Sequence, residues 1–103
     1  MNGMSSSTGQ AAQDPERRVI RIGGAEAADF LQSILTSDME ALLPGETRAS
    51  ALLTPQGRIL ADMMVLRVED GFVLDCDASR AEDLFKRLRR YKLRRPITLA
   101  LLD

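Results

Sequence analysis

Histidine and tryptophan are absent from this 103-residue sequence, which contains one tyrosine and one cysteine. Without an imidazole, neither a Ser-His nor a Cys-His nucleophile pair can form, and the commonest zinc ligand is missing. The lone Cys76 excludes a disulfide bond within the chain. Acid–base chemistry must therefore use carboxylates, lysine, tyrosine or this thiol, or groups supplied from elsewhere, and we predict no metal site.

Long apolar runs are also missing, since none approaches the roughly 20 residues that a membrane-spanning helix needs. The start of the chain, MNGMSSSTGQAAQDPERR, lacks the basic and apolar regions of a secretory signal. The formal charge of -1 gives no global reason for binding nucleic acid or an anionic membrane. We therefore predict a cytoplasmic protein that does not contact membranes.

Periodicity in the apolar residues predicts five strands and two helices in a single order. The predicted strands are residues 17–22, 47–54, 58–68, 72–77 and 97–102, and the predicted helices run over 25–35 and from Ser79 to the Arg95-Pro96 stop. Ser79 with Glu82 fits a capping box at the second helix start. The order predicts an α+β fold: a mainly antiparallel sheet covered by two helices, a ferredoxin-like split βαβ variant with one extra strand.

Residues 1–15 are small and polar without periodicity, which predicts a disordered tail. The last predicted strand runs to Leu102 without a cap or closing turn. We therefore interpret residues 16–103 as the N-terminal part of a longer protein, truncated at its C-terminus. A partial domain exposes apolar surface meant for its missing portion, so a homodimer through that surface is also predicted.

One acidic residue, Asp62, interrupts the apolar strand 58–68. Because strand side chains alternate between faces, it shares a face with Leu60, Met64, Leu66 and Val68. The other face is also apolar, so the strand is predicted to be buried on both sides. An unpaired carboxylate there would cost several kcal/mol. The residues alone favour a structural acid over a functional one, either left in water at a frayed or edge strand or paired with Arg48 or Arg58.

The segment KRLRRYKLRR, residues 86–95, holds seven of the fourteen basic residues. One interpretation is an anion-binding surface for RNA, phosphate or a polyglutamate tail. The alternative is a solvated helix face, which the pattern favours because Tyr91 is the one aromatic residue available for stacking on bases. Cys76 lies between Asp75 and Asp77, whose charges disfavour a thiolate, and is predicted to be a packed core cysteine.

Three segments in order, FLQSILTSDMEALLPGE, ALLTPQGRILADMMV and LDCDASRAEDLFKRLRRYKLR, resemble one family. This family is the folate-binding superfamily of the glycine-cleavage aminomethyltransferase (T-protein) and the YgfZ-type proteins. The resemblance covers residues 24–99, and ALLTPQGRILAD and RRYKLRR look closer to the YgfZ branch. It implies a three-domain, ring-like protein with tetrahydrofolate in a central channel.

The resemblance also implies site residues. Asp62 matches the T-protein aspartate that orients the folate and assists methylene transfer, so it is the implied catalytic and cofactor-binding residue. Leu66 stands where T-proteins often have a tyrosine, and Asp77 lies near a T-protein asparagine that touches the cofactor. These three residues form the predicted folate site. Because these 103 residues would supply part of a central pocket, we expect them to bind folate weakly or not at all on their own.

The implied function is a tetrahydrofolate-binding YgfZ-like protein that supports iron–sulfur enzymes, with such client proteins as partners. An alternative is an aminomethyltransferase that passes a one-carbon unit to tetrahydrofolate. A second alternative is a small RNA- or protein-binding module that uses residues 86–95. The YgfZ signature K-G-C-x-x-G-Q-E is absent and would lie further C-terminal, so the sequence leaves these functions open, as it leaves open whether the protein is an enzyme.

Overall fold

The computed structural model describes residues 15–102, which form five strands and two helices. In chain order they are β1 (Arg17–Gly23), α1 (Ala27–Ile34), β2 (Thr47–Leu53), β3 (Ile59–Val68), β4 (Gly71–Asp77), α2 (Ala78–Lys92) and β5 (Thr98–Leu102). The predicted disordered tail lies outside the described residues except for its last position. Neither described helix has the length and apolar content needed to cross a membrane.

The strands form one sheet in the order β2-β3-β4-β1-β5, and every neighbouring pair is antiparallel. Without β2 this is the strand order of the ferredoxin-like split βαβ fold. The predicted fold class is therefore confirmed, and the extra strand is β2 at one edge. Residues just after α1 hydrogen-bond to the outer side of β2: Thr36 N–H donates to the Ala51 carbonyl at 3.0 Å, and Ala51 N–H donates to Thr36 Oγ1 at 3.1 Å.

One apolar core lies between the sheet and the two helices. Helix α1 contributes Phe30 and Leu31, and α2 contributes Leu84 and Leu88, all at most 1% exposed. They pack against alternate residues of the strands. The strand residues in this core include Ile20, Ile22, Leu52, Ala61, Met63, Val65, Phe72, Leu74 and Cys76. Burying each large side chain contributes about 1.5–3 kcal/mol, so this layer holds the domain together.

The opposite side of the sheet is covered by neither helix. On β3, Ala61, Met63 and Val65 are buried, whereas Asp62 and Met64 are exposed. The prediction that this strand is buried on both sides is therefore wrong. Apolar residues occupy both of its faces, but both helices pack on the same side of the sheet and leave the second face open.

The turn before β3 and a register shift just after it together place Asp62 on the open side. Gly57 N–H donates to the Thr54 carbonyl at 2.9 Å, and Thr54 N–H donates to the Arg58 carbonyl at 2.7 Å. Gly57 has φ of 89°, a conformation that glycine adopts without a Cβ clash. This hairpin turn joins β2 to β3, and the register shift between Leu52 and Leu53 then pairs Ala51 with Asp62.

The start of α2 differs from the prediction. The Asp77 carboxylate Oδ1 accepts hydrogen bonds from Ser79 N–H at 2.9 Å and from Ser79 Oγ at 2.8 Å, so Asp77 is the N-cap. The predicted capping box from Ser79 to Glu82 is wrong by two residues. Glu82 instead lies 3.7 Å from the Arg18 guanidinium on β1.

A candidate ligand-binding face around Asp62

The open face is defined here as the side of the sheet opposite the helices, around Asp62. Its members on β1 to β4 include Arg17, Val19, Ala49, Ala51, Asp62, Met64, Leu66, Val73 and Asp75. Antiparallel register lines them up in rows across the sheet, with Ala49, Met64, Asp75 and Val19 in one row. Most of these side chains are apolar and small or flexible, which suits contact with a flat ligand.

Asp62 has no partner among residues 15–102. It is exposed, it lies opposite Ala51 of β2, and no described group donates a hydrogen bond to its carboxylate. Arg48, one of the two partners expected for a structural acid, donates instead to the Asp38 carbonyl at 2.7 Å. Arg58, the other expected partner, forms no ion pair with it. Asp62 is thus an unengaged hydrogen-bond acceptor on a surface that is otherwise mostly apolar.

A cation shares a depression with this carboxylate. Arg17 and Asp62 line the same shallow depression of about 300 Å³, together with Ala49, Ser50, Met63 and Met64. Arg17 Nε lies 3.1 Å from Asp75 Oδ1, and its Nη2 donates to the Asp75 carbonyl at 3.1 Å. The depression therefore presents a free carboxylate, a guanidinium held in place by Asp75 and the flexible Met64 side chain. Such a set can accept hydrogen bonds from ligand N–H groups and pack against a ring.

The structure places the other two predicted site residues at different distances from Asp62. Leu66 is half-buried on the same face of β3, opposite Thr47 and Val73. It is four positions along the strand from Asp62, or about 13 Å. Asp77 ends β4, the neighbouring strand, on the same side as Asp75.

Asp77 already has a structural role as the N-cap of α2, which was not predicted from the sequence. The hydrogen bonds from the Ser79 hydroxyl and the Ser79 N–H stabilise the charged form, and they lower the pKa of the Asp77 carboxyl below its usual value. One carboxylate oxygen is occupied by the helix cap. A ligand could therefore use only the other oxygen without dismantling the start of α2.

Cys76 lies on the covered face and is fully buried. Burial raises the pKa of its thiol, because a thiolate would be poorly solvated there, although nearby Arg17 acts in the opposite direction. The prediction of a packed core cysteine is confirmed. Within residues 15–102, no group of three Cys, Asp or Glu side chains is arranged to hold a metal ion.

Three neighbours of Asp62 were not predicted as site residues: Arg17, Met64 and Asp75. Met64 was available from the sequence, since it is two residues from Asp62 on the same strand face and is 44% exposed. Arg17 and Asp75 required the strand order. They lie on β1 and β4, and only the pairing of β4 with both β1 and β3 brings them to this part of the sheet.

A polar triplet after α1 supports the wall beside Asp62. Ser37 Oγ donates to the Ala49 carbonyl at 2.7 Å, and Ser37 N–H donates to Ser50 Oγ at 3.1 Å. With the Thr36 bonds described above, these contacts fix the edge strand next to Asp62. Asp38 continues the segment, and its Oδ1 accepts a hydrogen bond from Ala41 N–H at 3.2 Å.

Comparison with known proteins identifies the family. Residues 16–100 match the family described as GCVT N-terminal domain. The solved glycine cleavage system aminomethyltransferase T from Bartonella henselae superposes with a TM-score of 0.79 and 28% identity, over 84% of this chain and 24% of that chain.

Two curated relatives show the two branches. The iron–sulfur cluster assembly factor IBA57 homolog, mitochondrial, of Neurospora crassa is 36% identical over an alignment of 94 residues that covers 84% of this chain and 21% of that protein. An aminomethyltransferase of Chlorobaculum tepidum is 35% identical over 65 residues, which are 62% of this chain and 18% of that protein. The chain thus spans about a fifth of the length of these relatives.

The comparison also corrects the predicted location. The iron–sulfur relatives from Neurospora crassa, Pyricularia oryzae and human are named as mitochondrial proteins, which contradicts the prediction of a cytoplasmic protein. That prediction depended on the absence of a secretory signal and of an apolar run, and neither observation separates these two locations. The family prediction, by contrast, is confirmed: the chain belongs to the GCVT N-terminal domain family of the T-protein and YgfZ superfamily.

Proposed function

We propose that this chain is part of a YgfZ-like protein that binds tetrahydrofolate and supports iron–sulfur cluster assembly. The assembly role is supported by the 36% identity to a relative named as such a factor. The observation that carries the ligand site is Asp62, an exposed carboxylate without a partner among the described residues, on an uncovered and mostly apolar sheet face.

Asp62 fits one end of a folate. The pterin ring carries N–H groups, and a carboxylate that accepts hydrogen bonds from them holds the ring in one orientation. A charged acceptor makes such bonds roughly twice as strong as a neutral one does. Met64 and Ala49, in the same depression, would contact the ring face. Asp62 would therefore orient the folate, and in a transferase it would also assist the transfer step.

Leu66 and Asp77 would contact other parts of the ligand. Leu66 lies about 13 Å along the strand from Asp62, beyond the reach of one pterin ring, so it would pack against the remainder of an extended folate. Asp77 has one carboxylate oxygen engaged by Ser79. Its contribution as a cofactor contact would come from the second oxygen.

The open face supplies one wall of a site. Small-molecule pockets bury about 70–90% of a ligand's surface, whereas the depression at Asp62 is shallow. We propose that residues 16–103 form the N-terminal part of a longer protein, whose further domains would cover this face and complete the pocket. The 103-residue chain alone would then bind tetrahydrofolate weakly or not at all. Isothermal titration measures this directly, and micromolar affinity would show the proposal of an incomplete site to be wrong.

The test of function uses a strain that lacks its own YgfZ-like protein. The gene for the whole protein, of which we propose that this chain is a part, should restore the activity of an iron–sulfur enzyme in that strain, and Asp62→Asn should abolish the rescue at equal protein level. Glu40→Gln is the matched control, because Glu40 is also exposed and its side chain has no partner among residues 15–102. Full rescue by Asp62→Asn would remove Asp62 from the site.

An aminomethyltransferase is the second candidate, supported by the TM-score of 0.79 with an enzyme of that name. It would pass a carrier-bound one-carbon unit to tetrahydrofolate, with Asp62 holding the folate. Folate-dependent release of ammonia from an aminomethylated carrier protein would favour this candidate. Rescue of iron–sulfur enzymes without such transfer would favour the first.

A further inference from the structure

The structure distinguishes two groups within the basic segment of residues 86–95, and Lys92 and Arg94 belong to neither. Arg87 pairs with Asp83 at 3.0 Å, and Arg95 pairs with Glu26 at 3.2 Å and with Asp29 at 2.5 Å. These two arginines therefore stabilise α2 and connect its end to α1. The pKa of each guanidinium is raised by its carboxylate partner, so both remain charged and engaged.

The second group is Lys86, Arg89 and Arg90. They line one depression of about 390 Å³ on the outside of α2, and none has an acidic partner among residues 15–102. Their spacing of three and four residues places them side by side on the helix, where like charges repel and weaken the helix. Intramolecular pairing therefore does not account for this cluster, although it accounts for Arg87 and Arg95.

An unusual leucine follows directly after α2. Leu93 has φ of 49° and ψ of -111°, and it is 76% exposed. Positive φ is strained for a residue with a branched side chain, and glycine is the common residue just past a helix end. Leu93 thus combines backbone strain with an apolar side chain in water. Neither property stabilises the isolated chain, and such strain concentrates at functional positions.

The chemistry of these residues selects the class of partner. Three cations without acidic partners, of which Arg89 also lies over the Phe85 ring at 5.8 Å, call for an acidic ligand, while the exposed Leu93 offers apolar contact. A protein segment can supply both acidic and apolar groups. A nucleic acid would use the cations, but it would leave Leu93 without a matching contact, and one aromatic side chain is a poor platform for stacked bases.

We propose that the surface formed by Lys86, Arg89, Arg90 and Leu93 docks an acidic protein segment that carries an apolar anchor residue. This surface lies on the helix side of the sheet, and Asp62 lies on the other side. A partner could therefore bind it while the open face holds a ligand. The proposal stands independently of the folate site, since it depends on none of its residues.

Fluorescence anisotropy with the 103-residue chain tests the proposal. The probe is a short fluorescein-labelled peptide of glutamates with central leucines, and its companion has serines in place of the leucines. We expect the leucine peptide to bind more tightly than its companion, and to weaken as salt is raised. The double variant K86Q/R90Q should weaken binding of both peptides by about tenfold.

The variant Leu93→Gly distinguishes an effect on peptide binding from an effect on folding. Glycine relieves the positive φ, so the variant should unfold at the same or a higher urea concentration than the parent chain. Its affinity for the leucine peptide should nevertheless fall by about fivefold, with no change for the serine peptide. Arg58→Gln and Leu43→Gly are matched controls, because both residues are exposed and lie outside this surface.

Three results would overturn the proposal. The first is the absence of saturable binding of either peptide at low salt. The second is an equal loss of affinity in the two control variants. The third is tighter binding of a single-stranded oligouridylate of similar length, abolished by K86Q/R90Q and unaffected by Leu93→Gly, which would identify a nucleic-acid surface instead.

Discussion

The two faces of strand β4 lie in different environments, because the helices cover one face and leave the other open. Phe72, Leu74 and Cys76 are at most 1% exposed, whereas Val73 and Asp75 on the other face are only half-buried. The apolar face is the one that both helices cover, and the open face carries the ion pair of Asp75 with Arg17. An apolar pattern thus identifies residues that can be buried. Which of them are buried depends on where the helices pack.

Truncating neighbouring residues on β4 should give the largest difference in stability between the two faces. Leu74→Ala removes methyl groups from a fully buried site and leaves a cavity, which typically costs about 2–5 kcal/mol. Val73→Ala, one residue away on the open face, should cost less than half as much because its site is already partly in water. Urea unfolding of both variants measures the difference. Equal losses would show that the open face is buried in solution, for example in a homodimer.

A smaller effect is expected at Asp77, where the open face meets the start of α2. Asp77→Ala should destabilise the chain at neutral pH because it removes the helix cap, and Asp77→Asn should do so less because its amide oxygen can still accept the Ser79 bonds. The folded pKa lies below its ordinary value of 3.8, so the charged form stabilises the fold above that pH.

The stability difference between the parent chain and Asp77→Ala should change with pH in a definite direction. As the pH falls through the folded pKa of Asp77, the stabilisation is lost, and the gap between the parent chain and Asp77→Ala should close. Urea midpoints measured from neutral pH down to acidic pH check this. A gap that stays constant down to the lowest pH would mean that the charge of Asp77 does not act through the cap.

These residues also show how much could be predicted from the sequence. Strand 58–68 was predicted within one residue of its observed bounds, since the turn before it and the apolar run within it are local features. The N-cap was misplaced because Asp77 and Ser79 are both good caps, and the choice depends on where β4 ends. Asp62 was identified as unusual from its own strand. Whether Asp62 is exposed or paired stayed open, because this depends on the side of the sheet that the helices occupy.

On the covered face, Cys76 should give the chain a weak dependence on alkaline pH. Its folded pKa is raised above the ordinary value of 9.0, chiefly by burial. The unfolded thiol therefore ionises first, and the free energy of unfolding should decrease as the pH rises through that value. Cys76→Ala should reduce this dependence of the free energy of unfolding on pH, even if the lost packing also destabilises the chain. An unchanged slope would assign the pH dependence to other groups.

The smallest effect on stability should come from Asp62→Asn on the open face. Because no residue among 15–102 pairs with this carboxylate, its replacement should change the free energy of unfolding by less than about 0.5 kcal/mol. The same variant should abolish the rescue of iron–sulfur enzymes described above. A loss of stability greater than about 1 kcal/mol, twice the usual effect of a surface substitution, would mean that Asp62 is a structural acid. Unchanged stability combined with lost rescue would instead mean that the carboxylate acts on a group outside the described residues. Asp62 on the open face would then contribute to function without contributing to stability, unlike the residues of the covered face.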